Sequence, residues 1–183
     1  MGENDVIDVL VAQHGRIREL FDEVEQAPPD KVEAAFERLT RMLSVHETAE
    51  EEIVHPYARW KLGDGESVVG ERLSEENRAK RLLLGLHRAG VDHPEFRDRL
   101  AELRTAVAEH ALNEERHEFA PLRARTSVTE RRAMAAAVRA AEALAPIRPH
   151  PGTESAAMSV LLGTPLAVMD RAREVIRKAI GKQ

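Results

Sequence analysis

Residues 32–60 read VEAAFERLTRMLSVHETAEEEIVHPYARW and decide which fold the sequence predicts. Side chains suited to a buried seam recur there at alternating steps of four and three residues, at Val32, Phe36, Leu39, Leu43, His46, Glu50, Ile53, Tyr57 and Trp60. This spacing is typical of a helix that packs in a bundle. We therefore predict a helix over about 31–61, in which His46 and Glu50 occupy seam positions and Pro56 kinks or ends the regular part.

Three other segments show helical spacing: roughly 4–26, about 66–89, and the stretch from Phe96 to His117. The last follows Asp92-His93-Pro94, which resembles an N-cap with proline in the first turn. Four long helices joined by short loops predict an all-α fold, an antiparallel up-and-down four-helix bundle. In the segment 66–89 the predicted inner face consists of Leu73, Asn77, Leu84 and His87.

The C-terminal third of the chain differs in character from the bundle. Ser127-Val-Thr-Glu130 is a capping-box pattern that predicts the start of an alanine-rich helix reaching about residue 144. A proline-rich connector follows, and Thr164-Pro165 opens a predicted amphipathic helix that ends near Ile180. We therefore predict two parts: a metal-binding bundle over 1–125, and a helical extension over 126–183. The extension would pack on the bundle or on a second copy of the chain in a homodimer.

The composition limits the class of protein and the kind of site. With 183 residues, 43% of them hydrophobic, the chain can form one domain of ordinary size. Its net charge of −5 disfavours a nucleic-acid partner. The absence of cysteine excludes thiolate ligands, so any metal would have nitrogen and oxygen ligands. The sequence has neither a signal-peptide pattern nor an apolar run of about 18 residues, so we expect a cytoplasmic protein with no membrane partner.

Two His-x-x-x-Glu pairs, His46 with Glu50 and His110 with Glu114, fall on the predicted seams, and His14 lies on the apolar stripe of the first helix. Residues four apart lie on one face of a helix, about 6 Å from each other. An imidazole and a carboxylate at that distance can bind one ion, or the carboxylate can bridge two. Histidine and carboxylate ligands suit iron, manganese or zinc. The alternative is a buried network in which these groups only form hydrogen bonds.

At these residues the sequence resembles the haemerythrin-like, or HHE cation-binding, family over about residues 4–122. The family order is a lone histidine, a His-x-x-x-Glu pair, a histidine on the third helix and a second His-x-x-x-Glu pair. The resemblance implies a four-helix bundle with an oxo- or hydroxo-bridged non-haem di-iron centre. It further implies that His14 and His46 cap one metal, that His110 belongs to the other, and that Glu50 and Glu114 bridge them.

The third helix departs from the family pattern, because the sequence reads Glu75-Glu76-Asn77 where the family has a Glu-His pair. Asn77 offers only a neutral carbonyl oxygen and is a weak candidate for the missing ligand. His117, one turn beyond Glu114, and Tyr57 are the other candidates for binding at the centre. His55 is predicted to be exposed, since it lies on the opposite side of its helix from His46. His87 and His93 are predicted to be structural.

Three functions remain open from the sequence. The first is a di-iron protein that binds or turns over a small oxidant (O2, H2O2 or NO), with peroxide or nitric oxide consumption as its enzymatic form. The second is a non-catalytic oxygen or iron sensor, or a metal-responsive interaction module, with one or two ions. The third is a helical scaffold whose polar core positions are only hydrogen-bonded. Zinc or manganese are the alternatives to iron.

Overall fold

A computed structural model describes residues 5–144 of the chain, with side chains to residue 140. The elements are α1 (Val6–Gln26), a 3-10 turn (Pro29–Lys31), α2 (Val32–Ala49), a π turn (Glu50–Val54), α3 (His55–Lys61), α4 (Gly65–Ala89), α5 (Phe96–Glu114), a second π turn (Glu115–Phe119), α6 (Ala120–Arg125) and α7 (Val128–Leu144). No strand occurs within residues 5–144. The π turns join α2 to α3 and α5 to α6, so the predicted all-α bundle is confirmed.

Short connections pair the helices side by side. α1 packs against α2 and α4 packs against α5, which makes each pair antiparallel. Asp5 caps α1 by accepting a hydrogen bond from the Ile7 backbone N–H at 3.1 Å. Gly90 has a φ of 80° and ends α4 at the predicted residue. The predicted N-cap at Asp92 is wrong, because α5 begins only at Phe96, after a turn over residues 91–95.

The interior of the bundle contains two apolar clusters with a polar layer between them. The Phe119 cluster includes Val6, Leu10, Ile53, Tyr57, Phe119, Leu122 and Met134. The Phe96 cluster includes Ile17, Phe21, Phe36, Leu39, Leu83, Phe96 and Leu103. The helices α1, α2 and α4 contribute to both clusters, as does α5 together with the π turn that follows it. The residues between the two apolar stretches of each include the buried polar residues His14, His46, Glu76, His110 and Glu114. The polar layer therefore crosses the bundle at one level.

The two π turns each begin six residues before a proline, at Glu50 ahead of Pro56 and at Glu115 ahead of Pro121. In the first of them the His55 backbone N–H donates to the Glu50 carbonyl, five residues back. A proline inside a helix lacks its N–H, and its ring clashes with the carbonyl four residues earlier. A wider turn ahead of the proline relieves that clash, so the helix continues without ending.

The inner face of α4 lies one residue earlier than the sequence predicts. The buried residues of α4 include Arg72, Glu76, Leu83 and Leu86, whereas Asn77 is exposed. The pattern is ambiguous because the run Leu82-Leu83-Leu84 offers an apolar side chain to any inner face. Trp60, a predicted seam residue at the end of α3, is also 67% exposed.

The helix α7 is part of the core of the described structure. The predicted capping box is present: the Glu130 N–H donates to Ser127 Oγ at 3.2 Å, and the Ser127 N–H donates to Glu130 Oε2 at 2.6 Å. Met134 and Val138 are fully buried in the Phe119 cluster. This part of the extension therefore packs on the bundle. The predicted connector and last amphipathic helix lie outside the described residues, and the boundary near residue 125 stays a prediction.

Among the described helices, none has the length and apolar character needed to cross a membrane.

Candidate metal centre

The structure brings the five predicted ligands together in the polar layer. All are buried, and Glu50 and Glu114 are completely inaccessible to solvent. One ligand atom from each of four side chains lies within 4.8 Å of the others, in the group His14, His46, Glu50 and Glu114. His46 Nε2 is 3.1 Å from Glu50 Oε1, and His14 Nε2 is 3.3 Å from Glu114 Oε2. Spacings of this kind place several ligand atoms around one point.

The three predicted histidine ligands are oriented in the same way. Each Nδ1 contacts a side-chain oxygen from outside the centre, and the pairs are His46 with Gln13 at 2.7 Å, His14 with Glu115 at 2.8 Å, and His110 with Glu75 at 3.1 Å. An acceptor at Nδ1 holds the proton on that nitrogen and leaves the Nε2 lone pair free. Outer partners of this kind fix the ring orientation of metal-bound histidines. All three rings thus present Nε2 to the polar layer.

Several buried polar atoms in this layer have no hydrogen-bond partner among the described residues: both carboxylate oxygens of Glu50 and of Glu114, one oxygen each of Glu47, Glu76 and Glu118, and Nε2 of His14 and His110. A buried polar group without a partner costs about 1–3 kcal/mol, and a charged one costs more. Cations would satisfy these atoms together. The donor set is nitrogen and oxygen without sulfur, which fits iron, manganese or zinc.

Burial dominates the acid–base behaviour of the layer. Burial is the main reason that the pKa of Glu50 lies well above its ordinary value, and the nearby carboxylates of Glu114 and Glu76 raise this pKa further. Burial and the neighbouring His14 lower the pKa of His46 well below its ordinary value. Burial also raises the pKa of Glu114, but the close contact with His14 Nε2 and the charge of His110 outweigh burial and lower the pKa to about 2. Burial therefore disfavours charge on both His46 and Glu50, and a cation beside Glu50 would favour its ionised form.

Glu76 is the third-helix residue that faces the centre. Its side chain is 1% exposed, and it forms a second ligand group with Glu50 and His110 in which the ligand atoms lie within 4.8 Å of one another. Because Glu50 belongs to both groups, the two possible ion positions share a carboxylate. The sequence did not single out Glu76, since its inner face depends on the register of α4. The predicted four-residue spacing from Leu73 selected Asn77 instead.

His55 and Glu118 also belong to the centre, although the sequence predicted His55 to be exposed. That prediction is wrong: the ring is 1% exposed, with Nε2 2.6 Å from Glu76 Oε1 and Nδ1 2.8 Å from Glu118 Oε1. Burial lowers the pKa of His55, but the hydrogen bonds to Glu118 and Glu76 outweigh burial and raise it to about 10. His55 also forms a third ligand group with Glu114 and Glu118.

The π turn explains why the prediction failed for His55. In a regular helix, nine residues at about 100° each place His55 about 180° from His46. The extra residue in the π turn removes about 100° of that rotation, and the ring turns toward the centre. Pro56 was the available signal, because a proline within a helical pattern implies a local change of helix geometry.

Comparison with known proteins agrees with this geometry. The family model of the hemerythrin HHE cation binding domain matches residues 5–122. The chain belongs to the HHE cation-binding family. It is therefore a metal-binding protein, and the predicted resemblance is confirmed. A DNA nickase from Nostoc sp. (strain PCC 7120 / SAG 25.82 / UTEX 2576) is 32% identical over 120 residues, which cover 65% of this chain and 34% of that protein. The chain thus spans about a third of the relative's length. No solved structure matches the chain.

The remaining candidates in this HHE chain lie away from the ligand groups. Asn77 is exposed and its Nδ2 donates to the Leu73 carbonyl at 2.7 Å, so Glu76 replaces it as the α4 contributor. His117 is exposed, because the second π turn presents Glu118 to the interior in its place. Neither Asn77 nor His117 therefore faces the centre.

Tyr57 has a different partner from the one expected for a residue that binds at the centre. Its hydroxyl donates to Glu130 Oε1 at 2.5 Å, on α7. His87 has the structural surroundings that the sequence predicted: its Nε2 is 3.1 Å from Thr40 Oγ1, and its ring packs beside Phe36. His93 Nδ1 accepts a hydrogen bond from the Glu95 backbone N–H at 3.2 Å, in the turn before α5.

Proposed function

We propose that this chain is a non-haem di-iron protein that binds or turns over a small oxidant: O2, H2O2 or NO. The observation that carries the proposal is the set of unpartnered ligand atoms that converge, fully buried, from four helices. Histidine and carboxylate donors without sulfur favour a hard or borderline metal ion such as iron over a soft one. Zinc or manganese would fit the same donors and are outcomes of metal analysis.

The ligand groups suggest a division of roles. His14 and His46 would hold one ion, His110 and Glu76 would hold the other, and Glu50 and Glu114 would bridge them. Bound iron would supply Lewis acidity and one-electron chemistry. The chain itself would orient the imidazoles through their Nδ1 partners and exclude water with the two apolar clusters.

The charge of the buried carboxylates calls for cations in the layer. Glu50, Glu76, Glu114 and Glu118 are each 1% exposed or less, and together they carry four negative charges when ionised. The His55 imidazolium offsets one of these charges and one divalent cation offsets two, so one negative charge would remain. The second ligand group, which shares Glu50 with the first, offers a position for a second cation. An uncompensated buried charge is strongly destabilising.

Metal analysis of purified protein tests this proposal. Protein produced in iron-supplemented medium should carry two irons and show near-ultraviolet oxo-to-iron absorption. Glu76→Gln should reduce the iron content toward one per chain. Glu71→Gln is the matched control, because it lies on the same helix with an exposed side chain. Metal-free wild-type protein, with a melting temperature that Glu50→Ala leaves unchanged, would end the di-iron proposal.

The oxidant is identified by reaction rather than by binding alone. Iron-loaded protein would be mixed separately with O2, H2O2 and NO, and the change in the iron absorption would be followed together with loss of the oxidant. Repeated loss of peroxide or nitric oxide supports an enzyme. A single stoichiometric spectral change that reverses on removal of the gas supports a carrier or sensor.

A sensor is the second candidate function, and the attachment of α7 favours it. Glu130 at the start of α7 accepts a hydrogen bond from Tyr57 and pairs with Lys61 at 2.7 Å, and both partners lie on the helix that continues from Glu50. A shift at the centre could pass along this helix to the extension. Oligomeric state and amide exchange of the full chain should then depend on metal, and Glu130→Gln should weaken that dependence. An oligomeric state and amide exchange that are the same with and without metal would contradict the sensor hypothesis.

We infer that this chain does not share the DNA-nicking activity for which the relative is named. The match covers a third of that protein, and this chain has a net charge of −5, which disfavours binding to phosphate backbones. We propose that the chain acts without a nucleic-acid or membrane partner, in the cytoplasm. Nicking of supercoiled plasmid by the iron-loaded wild type, abolished by Glu50→Ala, would contradict this view.

A further inference from the structure

The chain has one tyrosine and one tryptophan, and their rings are in contact. The ring centroids of Tyr57 and Trp60 are 5.5 Å apart at an interplanar angle of 74°. Tyr57 is 7% exposed and Trp60 is 67% exposed, so the pair extends from the interior to the surface. Tyrosine and tryptophan are among the side chains that give up single electrons most readily.

The inner end of this pair lies near the candidate metal centre. Tyr57 is seven residues beyond Glu50 on one continuous helix, which corresponds to about 10 Å along the axis. It belongs to the Phe119 cluster, and Phe119 itself stacks on His14 with ring centroids 5.9 Å apart. Packed side chains therefore connect Tyr57 with the ligand His14.

Tyr57 also has a proton acceptor. Its hydroxyl donates to Glu130 Oε1 at 2.5 Å, and the Lys61 ammonium lies 2.7 Å from the same carboxylate. A tyrosine that has lost an electron is a very strong acid, so this carboxylate can take its proton although its own basicity is low. Lys61 Nζ also lies 4.4 Å from the centre of the Trp60 ring, which disfavours positive charge on the indole relative to a neutral radical on Tyr57.

We propose that Tyr57 and Trp60 form a one-electron relay between the metal centre and the surface, an inference that rests on the proposed oxidant chemistry. Peroxide would first oxidise the metal centre. Tyr57 then gives one electron to the oxidised centre, and the phenol proton passes to Glu130. Trp60 returns an electron to Tyr57 while Glu130 returns the proton. This step is unfavourable at equilibrium, because the neutral radical on Tyr57 is favoured, and it proceeds because the oxidised indole is removed at the surface. The oxidised indole is then reduced by a one-electron donor in solution, for which ascorbate is the probe. The relay would limit oxidative damage to the ligands.

The first test uses metal-free protein, so its result does not depend on the proposed function. Azide radicals generated by pulse radiolysis oxidise the exposed Trp60, whose radical absorption is unambiguous because the chain has one tryptophan. In the wild type this absorption should decay as that of the Tyr57 radical appears. Tyr57→Phe should abolish the transfer, and Glu130→Gln should slow it because an amide does not take the proton. Absence of transfer in the wild type overturns the relay.

The second test uses iron-loaded protein and hydrogen peroxide, with oxidised residues mapped by mass spectrometry and organic radicals detected by electron paramagnetic resonance. Oxidation of Trp60 should be high in the wild type and in the surface control Leu112→Ala. It should be low in Tyr57→Phe, where oxidation of the ligand histidines should rise instead. Equal oxidation of Trp60 in wild type and Tyr57→Phe overturns the relay. Failure to bind iron or to consume peroxide counts against the proposed function, and the radiolysis result then decides whether the pair transfers electrons.

Discussion

The helices that carry Glu50 and Glu114 have the same ligand pair but unequal surroundings. In the first helix the π turn begins at Glu50 itself, and in the second it begins one residue after Glu114. The fifth residue after the glutamate is His55 in one case and Phe119 in the other, and both are 1% exposed. One helix thus adds a charged ring to the centre, and the other adds an apolar ring against His14. The position of the π turn relative to the ligand glutamate differs by one residue between the two helices, and this shift accompanies the change from a charged ring to an apolar ring.

The largest effect on stability is expected where Phe119 packs against His14, which we call the apolar side of the centre. Phe119→Ala removes a fully buried ring and its contact with His14, so we expect the free energy of unfolding of the metal-free protein to fall by about 3–5 kcal/mol. Urea denaturation measures this change. Leu112→Ala on the same helix, 49% exposed, should change stability by less than about 0.5 kcal/mol. Similar values for the two variants would show that the ring is not part of the core.

Removal of a bridging carboxylate should weaken the binding of both ions, and with it the stabilisation of the protein by iron. In wild type, iron at 100 to 1,000 times its dissociation constant should stabilise the protein by about 3–4 kcal/mol. Glu114→Gln should abolish most of this gain, because the carboxylate adjoins both His14 and His110. Melting temperatures with and without iron measure it. A wild-type gain that persists in Glu114→Gln would exclude Glu114 as a bridge.

The charged side of the centre is where His55 contacts Glu76 and Glu118. Its contribution to stability can be measured separately in the metal-free protein. His55→Gln retains hydrogen-bonding groups but loses the positive charge, and we expect a loss of about 1.5–3 kcal/mol at neutral pH. The pKa of His55 is raised from 6.5 to about 10, so its stabilisation is fully present below pH 6.5 and is lost as the pH rises through 10. The difference between wild type and variant should therefore shrink above neutral pH. A difference that grows with pH contradicts the ion pairs with Glu76 and Glu118.

The smallest effect concerns the contact between α3 and α7. Glu130→Gln should destabilise the protein by about 1 kcal/mol, since it weakens the bonds from Tyr57 and Lys61. Burial raises the pKa of Glu130, but hydrogen bonds from Lys61 and Tyr57 outweigh it and lower the pKa from 4.5 to about 2. The contribution is thus present above pH 4.5 and is lost as the pH falls toward 2. An acid titration in which wild type and variant keep a constant difference would contradict the assignment.

Helical spacing on the first, second and fifth helices was enough to predict the bundle and to select His14, His46, Glu50, His110 and Glu114. It failed on α4, because apolar residues occur on several faces of that helix. The pattern therefore did not show which face is buried, and Glu76 was not selected. It also failed for His55 and Glu118, since a regular period assumes that no residue is inserted. Prolines at positions 56 and 121 were the sequence signals for the π turns. How far these turns would rotate the next side chains required the structure.

The separation of the interior into the Phe119 and Phe96 clusters has a consequence for how the protein unfolds. Among the described residues neither cluster is continuous with the other, so the two ends of the bundle are coupled only by the helix backbones and by the layer of ionisable groups. Repulsion within that layer would let each end open as its own unit in the absence of metal. Cations would join the ends, and amides at both ends would then exchange their hydrogens only when the whole molecule unfolds.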